Sequence, residues 1–181
     1  SGINTCDGLL FEDCELGGGG NVFMSGSELE CGFGCLWSGG GNTRFDIGGP
    51  VAITDGGVYT HGGNFHSSGT DFQCESACIN TGGGRVLLQH QDSAIEDGGV
   101  ASEGGDIDIL AADLALSGVG LQSGGGEISV QATGYVPILN GRITSECGDI
   151  LVYAVDILEL FPPTPINSGS NSVDGGSIIL H

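Results

Sequence analysis

The stretch Gly104–Gly134 reads GGDIDILAADLALSGVGLQSGGGEISVQATG and contains one pattern twice. In both halves a run of glycines precedes one acidic residue, Asp106 or Glu127, and apolar residues follow at the first and third places after it. This alternation puts the apolar side chains on one face of a β-strand. The two acidic residues are 21 positions apart, so the stretch predicts a repeating strand unit.

Glycine pairs or triplets recur along the chain at nearly constant spacing, and one small or polar residue follows each of them. Consecutive positions lie 21 or 22 residues apart, and only the last interval is longer, at 28 residues. These positions are Asn21, Asn42, Asn64, Arg85, Asp106, Glu127, Asp149 and Ser177. Random placement of a common residue would not keep this period, so the chain is predicted to consist of structural repeats.

Apolar residues follow most of these positions at the first and third places, as in a strand with one buried face. The pairs are Val22 and Met24, Val86 and Leu88, Ile107 and Ile109, Ile128 and Val130, Ile150 and Val152, and Ile178 and Leu180. The units that begin at Asn42 and Asn64 are predicted to be irregular, because Phe45 and Phe65 look displaced by one residue, as in a β-bulge.

One strand per unit cannot bury its apolar face alone, so consecutive units must stack, with parallel strands ~4.8 Å apart. The predicted fold is an all-β parallel β-solenoid with coils of about 21 residues, either stacked β-arches or a right-handed β-helix. Glycines within the coils, such as Gly98 and Gly120, predict two or three strands per coil, and essentially no helix is expected. Residues 1–181 form one predicted domain, with a protruding Pro- and Ser-rich loop at 161–174.

The segments GGDIDILAADLALSG, GGEISVQATG, GDILVYAVDILEL and GGSIIL resemble coils of filamentous-haemagglutinin-type parallel β-helices, which occur in secreted bacterial adhesins and surface filaments. The resemblance covers residues 82 to 181 well and the first 80 only by glycine phase. The composition is also similar, more weakly, to that of disulfide-linked β-arch proteins of extracellular sheaths. Both resemblances imply an architecture and a surface location, and neither supplies a catalytic signature.

The charge of the chain excludes two classes of partner. Acidic residues number 23 against three arginines and no lysine, which gives a formal net charge of -20. Nucleic acid and anionic membranes are repelled by such a surface, because no basic patch is present to release counterions. Apolar residues make up 39% of the chain without any run long enough to enter a bilayer, so a folded core is expected and membrane insertion is not.

Seven cysteines are many for an 18.2 kDa chain and predict an oxidising, extracellular or cell-surface location. The start at Ser1, without Met or a signal peptide, fits a processed secreted subunit or an excised fragment. The disulfide candidates are Cys6, Cys14, Cys31, Cys35, Cys74 and Cys78, and Cys147 is left over as an intersubunit or a free thiol.

Two pairing schemes remain open from the sequence. In the first, each CxxxC motif closes its own loop and Cys6 joins Cys14. In the second, Cys14 bonds Cys35, which lies 21 residues, or one coil, away. A bridge between the two CxxxC motifs is excluded, because two coils span about 9.6 Å and bridged Cα atoms lie within roughly 7 Å.

The residues after the glycine corners should align along the solenoid axis as a polar ladder. Asn21, Asn42 and Asn64 predict an asparagine ladder in which side-chain amides bond their neighbours above and below. Arg85 follows and is predicted to form an ion pair with Asp106 in the next coil, contributing ~0.2–1 kcal/mol if exposed.

The ladder ends in an acidic row formed by Asp106, Glu127 and Asp149. One interpretation is a Ca²⁺ site, because this ion prefers oxygen ligands. The other is a solvated edge that discourages nonspecific association. The calcium-binding nonapeptide repeat of other solenoids is missing from the sequence, so no cofactor is predicted and Ca²⁺ remains the alternative.

Two surfaces indicate assembly with further copies of the chain. Phe23, Leu87, Leu151 and Ile179 should face outward in an apolar row that either a second layer of the same chain or a neighbouring subunit covers. The sequence ends in an inward-facing strand pattern, SIILH, without an amphipathic cap. An open solenoid end favours head-to-tail stacking, unless the sequence is a fragment of a longer solenoid.

The sequence therefore predicts a structural protein whose solenoid subunits self-assemble into an extracellular filament, tube or cell sheath, locked by disulfides. The alternatives are a surface adhesin fragment and a polysaccharide-degrading β-helix enzyme. No enzyme is predicted, because GxSxG, HExxH, P-loop and dinucleotide motifs do not occur. An outer aromatic cluster would favour the adhesin, but Trp37, Tyr59, Tyr135 and Tyr153 are predicted to fall at different phases of the coil.

Overall fold

The computed structural model describes residues 9–16, 20–76, 78–156, 158–161, 165–168 and 177–181, with the backbone alone for 9–16 and 33–35. It is an all-β parallel β-solenoid of about 7 turns, with about 21 residues per turn and no helix in the described residues. The fold class predicted from the glycine period is confirmed.

Short strands separated by glycine-rich corners make up each coil. Within the described residues the strands are β1 (Leu9–Leu16), β2 (Val22–Gly26), β3 (Leu29–Trp37), β4 (Thr43–Ile47), β5 (Val51–Thr54), β6 (Gly56–Tyr59), β7 (Phe65–Glu75), β8 (Ile79–Asn80), β9 (Val86–Glu96), β10 (Gly99–Ser102), β11 (Ile107–Ala111), β12 (Asp113–Ser117), β13 (Gly120–Ser123), β14 (Ile128–Ala132), β15 (Val136–Leu139), β16 (Arg142–Ser145), β17 (Ile150–Ala154), β18 (Leu158–Phe161), β19 (Ile166–Asn167) and β20 (Ile178–Leu180).

The strands form three parallel stacks, because each strand pairs with its counterpart one coil later. Stack A contains β2, β4, the first parts of β7 and β9, β11, β14, β17 and β20. Stack B contains the first parts of β1 and β3, β5, the second parts of β7 and β9, β12, β15 and β18. Stack C contains the second parts of β1 and β3, β6, β8, β10, β13, β16 and β19. A coil therefore has three strand segments rather than two.

The core lies between the three stacks and follows the predicted alternation. In stack A the inward pairs from Val86 and Leu88 through Ile150 and Val152 are completely buried, and Met24 is as well. Stack B adds large buried side chains such as Phe72. Complete burial of each large aliphatic side chain contributes roughly 1.5–3 kcal/mol, so the stacked columns are the main source of stability.

The coils that begin at Asn42 and Asn64 are in phase with the others, so the predicted bulge is wrong. Phe45 aligns with Met24, and Phe65 aligns with Thr43. Thr43 and Ser67 fill the remaining inward places and are buried. Phe45 packs edge-on against Phe65, with 5.2 Å between the ring centroids. Large and small side chains thus alternate between adjacent coils, which fills the core without displacing the backbone.

The segment predicted as a protruding loop at 161–174 is described only in part. Phe161 ends β18, and Ile166–Asn167 form β19, which pairs with β16. These residues lie in the stacks and not in a protruding loop. Residues 162–164 and 169–176 lie outside the described part of the chain.

Candidate functional site

A column of buried hydroxyl groups defines the corner between stacks C and A. The column consists of Ser38, Thr60, Thr81, Ser102, Ser123 and Ser145, all of them buried. In all but the last of these, the hydroxyl donates a hydrogen bond to the backbone carbonyl of a glycine three residues later. Ser145 instead donates to the carbonyl oxygen of Gly126 at 3.0 Å and accepts from the backbone N–H of Gly148 at 2.8 Å. The hydroxyls satisfy backbone groups that the corner would otherwise leave unpaired.

Glycine at the end of each corner allows the coils to stack in direct backbone contact. The positions are Gly41, Gly63, Gly84, Gly105, Gly126 and Gly148. At each of them a Cβ atom would lie within 3.0 Å of backbone atoms of the preceding coil, closer than real Cβ atoms are found. From the sequence, these glycines were predicted only to form turns. The Ser or Thr three places before each glycine is a sequence signal that would have identified this corner.

The polar ladder follows directly after these glycines, and its bonds differ in kind from those predicted. The side-chain oxygens of Asn21 and Asn42 each accept a hydrogen bond of 2.9 Å from the backbone N–H of the ladder residue in the next coil. Asn64 does the same for Arg85, at 2.8 Å. Each bond therefore joins a backbone N–H donor to a side-chain oxygen, and not two side-chain amides. Since such a bond needs only an acceptor oxygen, Asp106 replaces asparagine and accepts from Glu127 at 2.9 Å.

The predicted ion pair between Arg85 and Asp106 is wrong. The guanidinium Nε of Arg85 donates to Asp108, with 2.7 Å between Nε and the carboxylate oxygen. Asp106 is engaged by the backbone of the next coil, whereas Asp108 lies on the outer face of β11. The hydrogen bond to Asp108 and the charge of its carboxylate raise the pKa of Arg85.

The acidic row keeps its alignment without converging on a common point. Asp106 and Asp149 each use one carboxylate oxygen to accept a backbone N–H of the next coil, from Glu127 and Ser177 respectively. Among the residues that the structure describes, no group of three or more His, Cys, Asp or Glu side chains is arranged to hold a metal ion. The geometry thus gives the carboxylates a structural role in the ladder.

One of the two CxxxC motifs closes its own loop. Cys74 and Cys78 form a disulfide whose Cα atoms are 5.8 Å apart, and both side chains are buried. Cys147 is exposed as a free thiol. Cys31 is buried in stack B, while the side chains of Cys14 and of its candidate partner Cys35, and all of Cys6, lie outside the described residues. The backbone register aligns Cys14 with Gly34 and not with Cys35.

We expect the Cys74–Cys78 disulfide to stabilise the fold by about 2 kcal/mol, since it closes a short loop and constrains the unfolded chain. A Cys74→Ala, Cys78→Ala variant should lower the midpoint of denaturant unfolding accordingly, and Cys147→Ala is the matched control without effect. An unchanged midpoint in the double variant would contradict this expectation.

The stack end is the surface formed by β18 and β20, and it exposes side chains whose counterparts one coil earlier are buried. Ile178 is 43% exposed and Leu180 42%, whereas Ile150 and Val152, one coil earlier in the same columns, are 0% exposed. Leu160 of β18 is 38% exposed, whereas its counterpart Ile138 is 0% exposed. The inward columns of stacks A and B are therefore open at this end.

The predicted outward apolar row shares one column, but it is not continuous. Phe23, Leu87, Leu151 and Ile179 all lie on the outer face of stack A. Arg44 and His66 stand between the first two, and Asp108 and Ser129 between the second and third. Only Leu151 and Ile179 are neighbours in the column, so no long apolar stripe forms there.

The four Trp and Tyr residues do not share one phase of the coil, as predicted, but two of them do. Trp37 aligns with Tyr59 in the next coil, on the outer face of stack C. The indole of Trp37 is 52% exposed and packs against His61, with 5.1 Å between the ring centroids. Trp37 and Tyr59 are 22 residues, or one coil, apart in the sequence, and this spacing is the signal that would have predicted their alignment. Tyr135 and Tyr153 lie in stacks B and A and are not part of this cluster.

Three polar side chains and one alanine continue the column of Trp37 and Tyr59 in the next coils. Asn80, Ala101, Gln122 and Thr144 follow in register. We define the aromatic face as Trp37, Tyr59, His61, Asn80, Glu103 and Gln122. Three depressions of about 370, 220 and 300 Å³ lie along it, and Asn80 lines all of them. Neighbouring depressions share lining residues from successive coils, so together they form a shallow groove along the solenoid axis that begins at Tyr59, with Trp37 beside its end rather than in its described lining.

A larger depression of about 530 Å³ lies on stack B. Ala94, Ala115 and Pro137 contribute apolar groups to its lining. Two of its polar residues have intramolecular partners, since the Tyr135 hydroxyl donates to Glu159 at 2.7 Å and Asp113 accepts the Tyr135 N–H at 2.8 Å, whereas the buried Ser93 hydroxyl in its lining has none. The bond to Glu159 is the main cause of a raised pKa at Tyr135.

No protein-family model, curated protein or solved structure matches this chain. The likeness to other β-helices therefore rests on the repeat pattern and on the β-solenoid itself. No helix among the described residues is long and apolar enough to cross a membrane.

Proposed function

We propose that the protein is a structural subunit whose β-solenoids stack head to tail into an extracellular filament or sheath. The observation that supports this function is the stack end, where Ile178 and Leu180 are more than two-fifths exposed although the coils from β4 to β17 bury the same columns. One further coil in register would cover them. Each side chain would gain about 1 kcal/mol from this partial burial.

A second copy of the chain is a suitable occupant, because β2, its first described strand in stack A, continues the same columns. Val22 and Met24 of β2 occupy the inward places that Ile178 and Leu180 occupy in β20. In the described residues β2 pairs only with β4, and β20 pairs only with β17, so each strand has one edge with backbone groups available for pairing. Stacking of β2 on β20 is a heterologous contact, which propagates a filament unless the rotation closes a ring.

An aspartate at an inward place of the stack end should block assembly, because stacking would bury its charge without a partner. The variant is Ile178→Asp, and the matched control is Ile179→Asp on the same strand, whose side chain faces outward. We expect the wild type and Ile179→Asp to form filaments in negative-stain electron microscopy and to sediment with rising concentration. Ile178→Asp should remain short particles. Filaments of unchanged length in Ile178→Asp would contradict head-to-tail stacking.

Salt should promote the same assembly, because a net charge of -20 makes subunits repel one another. The screening length falls from about 30 Å at about 0.01 M salt to about 3 Å at about 1 M. We expect the concentration required for sedimentation to fall over this range. Monodisperse particles at every salt and protein concentration would overturn the proposed function.

The extracellular and surface location belongs to the same proposal. It is supported by the buried Cys74–Cys78 disulfide, since such bonds persist in oxidising compartments, and by the number of cysteines. The repeat pattern resembles that of secreted surface filaments of the filamentous-haemagglutinin type, and the composition resembles, more weakly, that of disulfide-linked sheath proteins.

A further inference from the structure

We propose that the aromatic face binds a linear, uncharged polysaccharide along the solenoid axis. This goes beyond self-assembly, because the face lies on the side wall of the solenoid and not at the stack end. It rests on an exposed aromatic platform, on hydrogen-bonding side chains in register with it, and on a groove with no lysine or arginine among its described lining residues. The cation next to this column is Arg142, which donates to Thr144 at 3.0 Å.

The platform is Trp37 with Tyr59 beside it. About half of the Trp37 residue is open to solvent although its ring packs against His61, so the side chain is supported on one side and available for contact on the other. Tyr59 lies one coil further, ~4.8 Å along the axis. Flat aromatic faces of this kind stack on the C–H faces of sugar rings, and Trp and Tyr lose little conformational entropy when they do so.

The polar row begins where the aromatic platform ends. The side-chain oxygen of Asn80 accepts the backbone N–H of Gly82 at 2.9 Å, which orients the amide and leaves its NH₂ group as a donor. Gln122 is exposed two coils beyond Asn80 and offers both a donor and an acceptor. Glu103 is exposed at the adjoining corner and offers acceptors only. Sugar hydroxyls donate and accept at once, so this mixture of groups suits them.

The direction and charge of the groove narrow the ligand further. Groups at the same phase of successive coils repeat along one line, so they match a chain of repeating units better than a single compact molecule. No lysine or arginine is among the residues that line the three depressions, whereas Asp97, Glu103 and Glu146 are. Uronic acids and sulfated sugars are therefore disfavoured, and neutral sugars are favoured.

The test uses intrinsic fluorescence, because Trp37 is the only tryptophan of the chain and reports directly on its own surroundings. The probes are neutral linear hexasaccharides of glucose, mannose and N-acetylglucosamine, with hexagalacturonate and hexalysine as charged comparisons. We expect a saturable change in Trp37 emission with at least one neutral probe and a larger dissociation constant for hexagalacturonate.

Variants separate a binding face from a nonspecific response. Tyr59→Ala and Gln122→Ala should weaken binding of the neutral probe about tenfold, as each removes one contact. Tyr153→Ala is the matched control, since Tyr153 is an exposed aromatic residue on stack A and its loss should change nothing. Trp37→Ala, followed by calorimetry, should abolish binding, and circular dichroism should verify that each variant keeps its strands.

The proposal is overturned if none of the neutral hexasaccharides gives saturable binding. It is also overturned if only hexalysine or hexagalacturonate binds, or if Gln122→Ala and Tyr153→Ala affect the neutral probe equally. These outcomes leave self-assembly untouched, because the stack end contains none of the residues of the aromatic face.

Discussion

Replacement of Gly105 by alanine should reduce the free energy of unfolding by about 3 kcal/mol or more. A Cβ atom at this position would lie within 3.0 Å of the backbone of Gly84 in the preceding coil. The atoms that the Cβ would meet belong to the backbone of Gly84 and Arg85 and not to a flexible side chain. The two coils must therefore separate at this corner. Separation would also lengthen the backbone hydrogen bond from Val86 N–H to the Asp106 carbonyl and the ion pair between Arg85 and Asp108, which cross the same interface.

Gly120→Ala is the matched control for this prediction. Gly120 is the first residue of β13 in the same coil, and no atom lies within 4 Å of a Cβ atom built there. Since its backbone is strand-like, alanine should be neutral or stabilise the protein by up to ~1 kcal/mol through the unfolded state. Thermal unfolding should show a drop of about 10 °C for Gly105→Ala, and equal melting temperatures for both variants would contradict backbone contact between coils.

The stability of the protein should also depend on the protonation of one buried histidine. His90 is 6% exposed at the turn between stacks A and B, where its Nε2 lies 3.1 Å from the Ser67 hydroxyl and its Nδ1 has no hydrogen-bond partner. Burial lowers the pKa of His90 to about 4, and the charge of His66 acts in the same direction, while Asp71 opposes it. The folded state therefore keeps the imidazole neutral.

The unfolded chain accepts this proton first, because an ordinary histidine has a pKa of about 6.5. As the pH falls from about 6.5 to about 4, the unfolded state binds more protons than the folded state, and stability decreases by up to about 3 kcal/mol. Above the pH of the unfolded titration the contribution is fully retained.

Comparison with His90→Gln isolates this effect from the titration of the carboxylates, which both proteins share. Glutamine does not titrate and can still bond the Ser67 hydroxyl. We expect the free energy of unfolding of the wild type, measured by denaturant titration, to fall more steeply between about pH 6.5 and pH 4 than that of the variant. Parallel curves would mean that His90 takes up its proton equally in both states.

The alternation of apolar residues was sufficient to predict the stacked columns, because every second side chain of a strand faces the core. It failed at Phe45 and Phe65, where Thr43 and Ser67 occupy inward places. Polarity suggested that these two residues face outward, although the neighbouring rings leave room only for small side chains. Whether Thr43 and Ser67 face the core depends on the volumes of the side chains in adjacent coils. The sequence of one strand does not contain this information.

Partners in the candidate sites were harder to predict than alignment. Arg85 was placed beside Asp106 by spacing alone, yet that carboxylate is held by the backbone of the next coil, and the long arginine side chain reaches Asp108 instead. Trp37 and Tyr59 kept the coil period, but exposure and the contact with His61 emerged only from the packing of stack C.

The sequence by itself determined the period, the parallel register and the buried columns, because glycine corners and alternating apolar residues are local features that repeat. Tertiary structure alone decided that three strand segments make a coil, that glycine backbones touch at the corners, and which side chains meet across coils. Those outcomes depend on distances between residues about 21 positions apart in the chain, which only the stacked coils define.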